Sequence, residues 1–210
     1  MKAGMADHAE RTSERLLRLV TVGETPQISI GDLVAGLSDR AFGIILLLLA
    51  LPISIPTVPG LSVLCGTPML VFSIQMMLGH HRPWLPSALS RRSFSRADLD
   101  ALFTKAMPYI RRFERAAKPR LEWLTRGIFE QLAGLVILVL ALIIVLPTPP
   151  IVGNIPSAVA TAVIAIGFIE RDGLIVLLGH AVAAVAVVTT FGVMVGLIAG
   201  ALKLISVWFG

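Results

Sequence analysis

Apolar residues fall into three long blocks along the chain, and polar or charged stretches separate them. The blocks cover residues 41–79, 127–169 and 174–209, and each is nearly free of charge. Apolar blocks of this length are typical of helices that lie in a lipid bilayer. The pattern therefore predicts an all-α integral membrane protein, with a polar region, residues 1–40, before the first block.

The polar region at the N-terminus is predicted to form two short helices. In its first half, Leu and Val are interspersed with Arg and Glu, an amphipathic pattern of modest length. Pro26 ends that helix. Ser29 is expected to cap a second helix that includes Asp32 and Asp39.

Clustered prolines interrupt the first two apolar blocks at corresponding places. In each block about 14 apolar residues lead to a Pro-Thr-x-Pro element, at residues 56–59 and 147–150. Fourteen helical residues rise roughly 21 Å, less than the roughly 30 Å hydrocarbon core. Because proline also breaks the helix, each block is predicted to form a re-entrant or discontinuous helical hairpin. The shared element suggests an internal repeat, although two unrelated hairpins that turn at prolines would look the same.

The last region, residues 170–210, is expected to form Gly-rich C-terminal membrane helices, arranged as a pair. Gly192, Gly196 and Gly200 recur at four-residue spacing and so share one helix face. This small-xxx-small pattern lets helices approach closely, either within the chain or across a homodimer. A homo-oligomer is expected, with a dimer favoured, because so short a chain encloses little cavity alone.

Positive charge is concentrated in one loop, residues 80–126. The loop holds 11 of the 18 Lys and Arg residues and four acidic residues, a balance of +7, whereas the rest of the chain balances to −2. By the positive-inside rule this loop is cytoplasmic, and the basic N-terminal region is expected on the same side. The first hairpin, residues 41–79, must then enter and leave the membrane on one side.

The basic loop could bind either anionic lipid or nucleic acid, since aromatic residues are interleaved with its arginines. Lipid is the simpler partner for a loop that lies between membrane segments, where each basic side chain contributes on the order of 1 kcal/mol. No nucleic-acid partner is therefore expected, and residues 96–118 are predicted to form interfacial helices. The expected headgroup contacts are Arg82, Trp84, Arg91, Arg92, Arg111 and Arg112.

Composition supports a membrane protein and argues against a soluble enzyme. The chain is 56% hydrophobic and 15% charged, well below the roughly 25% charge of soluble domains. Its single cysteine, Cys65, cannot form an intrachain disulfide, and nothing points to a metal or another cofactor. No signal peptide, nucleotide-binding loop, nucleophile elbow or zinc-protease motif is recognisable.

Polar residues near the proline breaks are the candidates for a substrate or ion pathway. Broken helices expose carbonyls and helix N-termini that can coordinate an ion near the bilayer midplane. A structural role is equally consistent, because Ser and Thr can satisfy the backbone groups that proline leaves free. The candidates are Thr57, Pro59, Ser62, Thr67, Thr148, Asn154 and Ser157, with His180 as a possible proton carrier or a packing residue.

A second candidate is a charged cluster at the start of the C-terminal region. Glu170, Arg171 and Asp172 lie in a short connection between apolar segments and are expected to pair with one another or with Arg40. An ordinary interfacial turn accounts for them as well.

Four short strings carry a resemblance to a known family. They are Arg40–Gly43, the His-Arg-Pro-Trp-Leu-Pro string at 81–86, Arg91–Phe94 and Glu170–Gly173. Together they resemble the bacterial ExoD family, over roughly residues 12–200. The resemblance implies a bacterial inner-membrane protein linked to exopolysaccharide production and, in some members, to tolerance of alkaline conditions. It implies no catalytic residues.

Two functions follow as expectations. The first is a transporter or channel-like protein that moves a small solute, an ion or a lipid-linked precursor. The second is a non-transporting accessory protein whose basic loop binds anionic lipid or a polysaccharide synthase. A lipid-modifying enzyme is a weaker third possibility, and the chain is not expected to be an enzyme.

Overall fold

The structure, a computed structural model, describes residues 27–37, 40–55, 60–80, 82–96, 100, 104, 120–146, 148–149 and 151–209. Two short strands, β1 (Gln27–Ser29) and β2 (Ser93–Ser95), lie in these residues. The helices are α1 (Ile30–Leu37), α2 (Ala41–Ile53), α3 (Leu61–Met77), α4 (Ser87–Ser90), α5 (Ile128–Val145), α6 (Asn154–Glu170) and α7 (Gly173–Phe209), with a 3-10 turn at Glu122–Thr125. The prediction of a mainly helical chain is confirmed.

The core is a bundle of the two predicted hairpins, α2–α3 and α5–α6. The beginning of α3 contacts the end of α5, and the beginning of α2 contacts the end of α6, so both pairs are antiparallel. Leu46, Met69, Ile137 and Ile164 are fully buried between the four helices. Each hairpin therefore packs more extensively against the other hairpin than within itself.

Glycines at the helix contacts bring the backbones together. A Cβ at Gly134 would lie 2.5 Å from the backbone nitrogen of Met77, and one at Gly43 would lie 2.8 Å from the carbonyl oxygen of Ala165. Real Cβ atoms do not approach backbone so closely, so any larger residue would push the helices apart. These two glycines set the separation of the helix pairs.

The helices end where the prolines predicted breaks. α2 ends at Ile53 and α5 at Val145, one to three residues before their Pro-Thr-x-Pro elements. Residues 56–59 lie outside the described residues. Pro52 and Pro68, by contrast, are accommodated inside helices.

The predicted pair of C-terminal helices is wrong, because α7 is one continuous helix from Gly173 to Phe209. Residues 174–209 contain no proline, and isolated glycines cost only about 1 kcal/mol each in a helix interior. The Thr190 hydroxyl donates to the carbonyl of Val152 at 3.1 Å, which ties α7 to the turn between α5 and α6. Beyond Thr190 the helix extends past the bundle with its large apolar side chains exposed.

A small sheet departs from the all-α prediction. β1 pairs antiparallel with β2, with Ile28 opposite Phe94. The pairing joins segments that are 66 residues apart, and nothing in their composition indicates it. The predicted cap is confirmed, since the Asp32 backbone N–H donates to Ser29 Oγ at 3.0 Å and α1 follows. That helix ends at Leu37, before Asp39, which lies outside the described residues.

Two helices in the described part of the chain are long and apolar enough to cross a membrane. They are Ile128–Val145 and Gly173–Trp208. A third span would require α1 and α2 to act together across a bend of 119°. α3 and α6 are apolar and shorter.

Candidate functional site

The turn between α5 and α6, here called the second tip (residues 146–157), holds a cluster of uncharged polar groups. Thr148 Oγ1 lies 3.0 Å from Asn154 Oδ1 and 3.2 Å from the carbonyl oxygen of Ile143. A hydroxyl has one proton, so it donates to one of these two acceptors at a time. Gly153 is required beside them, because a Cβ there would collide with Thr148 Oγ1.

Ser157 lies at the inner edge of the second tip. Its side chain is 0% exposed, and its Oγ has no hydrogen-bond partner among the described residues. A buried hydroxyl without a partner costs about 1–3 kcal/mol. One turn further along α6, Thr161 Oγ1 donates to the Ser157 carbonyl at 2.9 Å, so the backbone at Ser157 is satisfied and its hydroxyl is not. The second tip thus contains one buried hydroxyl that has no hydrogen-bond partner among the described residues.

The pathway candidates of the first hairpin give less information. Thr67 is exposed, and its hydroxyl donates to the Val63 carbonyl of its own helix at 2.8 Å. Ser62 is half-buried, whereas Thr57 and Pro59 lie outside the described residues. The role of all four residues in a pathway stays a prediction.

His180 lies on α7 and is half-buried. Its Nδ1 is 2.7 Å from the carbonyl oxygen of Val176. A carbonyl only accepts hydrogen bonds, so Nδ1 carries a proton and Nε2 is left as the second site of the ring. This geometry suits a packing residue, and proton transfer by His180 stays a prediction.

The predicted charged cluster lies at the end of the bundle opposite the second tip. This end is here called the base. Arg40 immediately precedes α2, and Glu170 is the last residue of α6, whose end contacts the beginning of α2. Asp172 is buried and accepts a hydrogen bond from the Leu174 backbone N–H at 3.0 Å, which caps α7. Arg171 between them adopts the left-handed conformation that ends α6.

The comparison with protein families identifies the family of this chain. The sequence model described as "Exopolysaccharide synthesis, ExoD" matches residues 12–193. The chain belongs to the ExoD family. The predicted resemblance is confirmed, and the match ends within three residues of the point where α7 leaves the bundle.

Two relatives of this ExoD-family chain cover most of its length. Protein ExoD of Rhizobium meliloti (strain 1021) is 26% identical over 184 residues, which is 86% of this chain and 76% of the relative. "Uncharacterized protein slr1875" of Synechocystis sp. is 26% identical over 152 residues, 71% of each chain. No solved structure matches. The family is linked to exopolysaccharide synthesis.

The sequence predicted no structural role for Gln75 of this ExoD-family chain. Gln75 is 8% exposed, and its Oε1 accepts a hydrogen bond from the Trp84 N–H at 2.6 Å. Its Nε2 donates to the Trp84 carbonyl at 3.2 Å, so one amide pairs with both backbone groups of Trp84. The signal that could have indicated this role is that Gln75 is the single Gln or Asn in residues 41–79.

The predicted headgroup contacts of the chain are exposed where the structure describes them. Arg82, Trp84, Arg91 and Arg92 are all exposed near the base, and Arg111 and Arg112 lie outside the described residues. Gln75 holds the Trp84 backbone while the indole ring remains 64% exposed. Trp and Arg exposed together in this way are typical of a membrane–water interface, and contact with lipid stays a prediction.

Proposed function

We propose that this protein embeds several segments in the bacterial inner membrane and passes a small solute, an ion or a lipid-linked precursor during exopolysaccharide production. The second tip forms part of the pathway. The observation that carries the proposal is the buried Ser157 hydroxyl, which has no partner among the described residues. Thr148 and Asn154 lie on the same tip and add two more polar side chains.

The surroundings of the second tip support a binding role over a structural one. Residues 131–169 contain no charged side chain, so a polar group there lies in an apolar environment. Polar groups at such depth are costly and are most often functional. A hydroxyl whose only role is to satisfy a free backbone group would donate to a carbonyl, as the hydroxyls of Thr67 and Thr161 do.

The orientation of the protein is proposed from its charge. The described arginines of the basic loop lie at the base, and the positive-inside rule puts this end in the cytoplasm. The N-terminal region would lie on the same side, next to anionic headgroups.

Complementation of a deletion strain tests the role of the second tip. Ser157→Ala removes the unpaired hydroxyl without leaving a polar partner behind, so we expect normal protein levels but lost exopolysaccharide production. Thr148→Val and Asn154→Ala should also abolish it. Thr189→Val is the matched control, because Thr189 is exposed and bonded to its own helix. If Ser157→Ala and Asn154→Ala complement as well as Thr189→Val does, the pathway proposal is wrong.

The alternative is an accessory protein that docks through its basic segment. It is favoured by the exposure of Arg82, Arg91 and Arg92 beside Trp84 and Phe94. Docking to a polysaccharide synthase or to anionic lipid predicts that Arg82→Glu with Arg91→Glu and Arg92→Glu abolishes complementation while Ser157→Ala has little effect. The pathway proposal predicts the opposite order.

A further inference from the structure

The two hairpins share more than their proline elements. A shift of 91 residues aligns residues 41–59 with residues 132–150, and nine of the 19 positions are then identical. The identical residues include one glycine in each first helix, Gly43 and Gly134, and the Pro-Thr-x-Pro elements.

The same shift relates the buried positions of the two hairpins. Five of the six buried residues of α2 fall on buried residues of α5. The five pairs are Phe42 with Ala133, Gly43 with Gly134, Leu46 with Ile137, Ala50 with Ala141, and Ile53 with Ile144. In the second helices, Met69 matches Ala160 and Met76 matches Gly167, again all buried.

The same shift also relates the contacts between the helices of the two hairpins. Gly43 of α2 meets Ala165 and Ile169 near the end of α6, and Gly134 of α5 meets Met76 and Met77 at the end of α3. Exchanging the hairpins turns one contact into the other. An approximate two-fold axis therefore runs parallel to the hairpins. The turn that follows α2, here called the first tip, lies at the same end of the bundle as the second tip.

We propose that the two hairpins are copies of one unit that enter the bilayer from the same side and end near its middle, while α7 alone crosses completely. The tips carry no charge, and Ile55, Leu146 and Ile151 are exposed there, at 62%, 56% and 76%. Tips that emerged into water would expose these side chains to it. Acyl chains are the surroundings that fit them.

The length of α7 supports this depth. Trp84 and Trp123 lie at the base and Trp208 near the end of α7, and all three tryptophans of the chain are exposed. Gly173 and Trp208 are about 52 Å apart along a helix, and a tilt of roughly 35° reduces this to about 43 Å, the thickness of a bilayer with its interfaces. The tryptophans then mark the two interfaces.

The tips fall halfway between these interfaces. Thr190, which bonds to Val152 of the second tip, is about 26 Å along α7 from Gly173, or about 21 Å after the same tilt. An upright bundle crossing the whole bilayer would instead leave about 27 Å of exposed apolar helix, residues 191–208, in water. A midplane position for the tips avoids that exposure.

The two copies differ at the polar residues of the second tip. Ser157 occupies the position that Gly66 has in the first hairpin, where a Cβ would lie 2.9 Å from side-chain atoms of Ile144 and Val145. Val63 similarly replaces Asn154. The first hairpin thus packs closely through a glycine at this position. The second hairpin instead places polar groups near the middle of the bilayer.

Fluorescence quenching by brominated lipids measures the depth directly. The protein would be purified with its tryptophans changed to phenylalanine, except for one at a time, and reconstituted into vesicles. Ile151→Trp or Leu146→Trp in the tryptophan-free background should be quenched most by lipids brominated near the acyl-chain ends. The variants that keep Trp84 or Trp208 should be quenched most by bromines near the headgroup. Leu174→Trp, at the base, is the matched control for an introduced tryptophan.

Quenching of both tip variants by shallow bromines, as for Trp208, would overturn the proposal. A second arm places single cysteines in a Cys65→Ala background and labels intact cells with an impermeant maleimide. Val207→Cys should react without permeabilisation, and Ser87→Cys should react only after it. If both need permeabilisation, α7 does not cross. Neither arm depends on transport, so failure of the pathway proposal leaves the depth measurement unaffected.

Discussion

At the scale of residues, Ser29 and Gln75 are paired with backbone groups, whereas Ser157 Oγ has no partner among the described residues. Ser29 was predicted to cap α1. Its Oγ accepts a hydrogen bond from the backbone N–H of Asp32, three residues further along the chain. The contact of Gln75 with Trp84 depends on how the chain turns after α3, which no local pattern encodes. The Ser157 position was a candidate from the sequence, but its lack of a partner could be recognised only from the packing.

The close glycines lead to the first prediction. Gly134→Val and Gly43→Val should each destabilise the fold, by about 1–3 kcal/mol or more, because the new side chain meets backbone atoms of the facing helix. Ala201→Val is the control, since Ala201 is exposed on α7 and lies away from the face formed by Gly192, Gly196 and Gly200. Thermal unfolding in detergent should show a lowered Tm for the first two variants alone. Equal Tm values for all three would contradict the antiparallel packing described above.

Gln75 leads to a second prediction. Gln75→Leu leaves the part-buried Trp84 backbone N–H and carbonyl without their amide partner, so we expect a loss of about 1–3 kcal/mol. Thr67→Val is a suitable control on the same helix, because its hydroxyl is exposed and bonds only within α3. The Tm of both variants checks this. A Gln75→Leu variant as stable as Thr67→Val would mean that the pairing contributes nothing.

At the scale of elements, the sequence predicted the positions of the helices better than it predicted their number. α2 and α5 end shortly before the clustered prolines of their Pro-Thr-x-Pro elements, whereas the single prolines Pro52 and Pro68 lie inside helices. The glycines of the last block suggested two helices, but an apolar environment offers the backbone no other hydrogen-bond partner, and α7 continues through them. Strand pairing of β1 with β2 again depends on segments far apart in sequence.

The exposed glycine face of α7 leads to a third prediction, which concerns the proposed homodimer. Gly192, Gly196 and Gly200 have no described neighbour within 4 Å of their Cβ positions, so none of the described residues packs closely on this face, and we propose that a second copy packs there. Ala199→Cys in a Cys65→Ala background should form a disulfide-linked dimer in membranes on mild oxidation. Adding Gly196→Leu should abolish it.

The control for this dimer is Ile198→Cys, which lies on another face of the same helix and is 55% exposed. It should cross-link much less. Equal cross-linking at both positions would indicate random collisions, and no cross-linking at Ala199→Cys would argue against a dimer through this face.

At the scale of the whole molecule, the sequence was sufficient for a helical protein of the ExoD family with apolar helices able to cross a membrane. It was not sufficient for how the hairpins pack. Two hairpins joined by a long loop can be arranged in several ways with identical periodicity, and only the contacts of Gly43 and Gly134 show the exchange of partners. These contacts support the proposal that the two hairpins are copies of one unit.

The most direct test of the account concerns access to the second tip. Single cysteines at Asn154, Ser157 and Ala160 would be placed in a Cys65→Ala background and exposed to a small, impermeant thiosulfonate. A ligand pathway predicts that Asn154→Cys and Ser157→Cys react from at least one side of the membrane, whereas Ala160→Cys, which is as buried as Ser157 but lies about one turn further from the second tip, does not. If all three stay unreactive while Ser87→Cys at the base reacts, the second tip is a sealed structural turn and the proposed pathway is wrong.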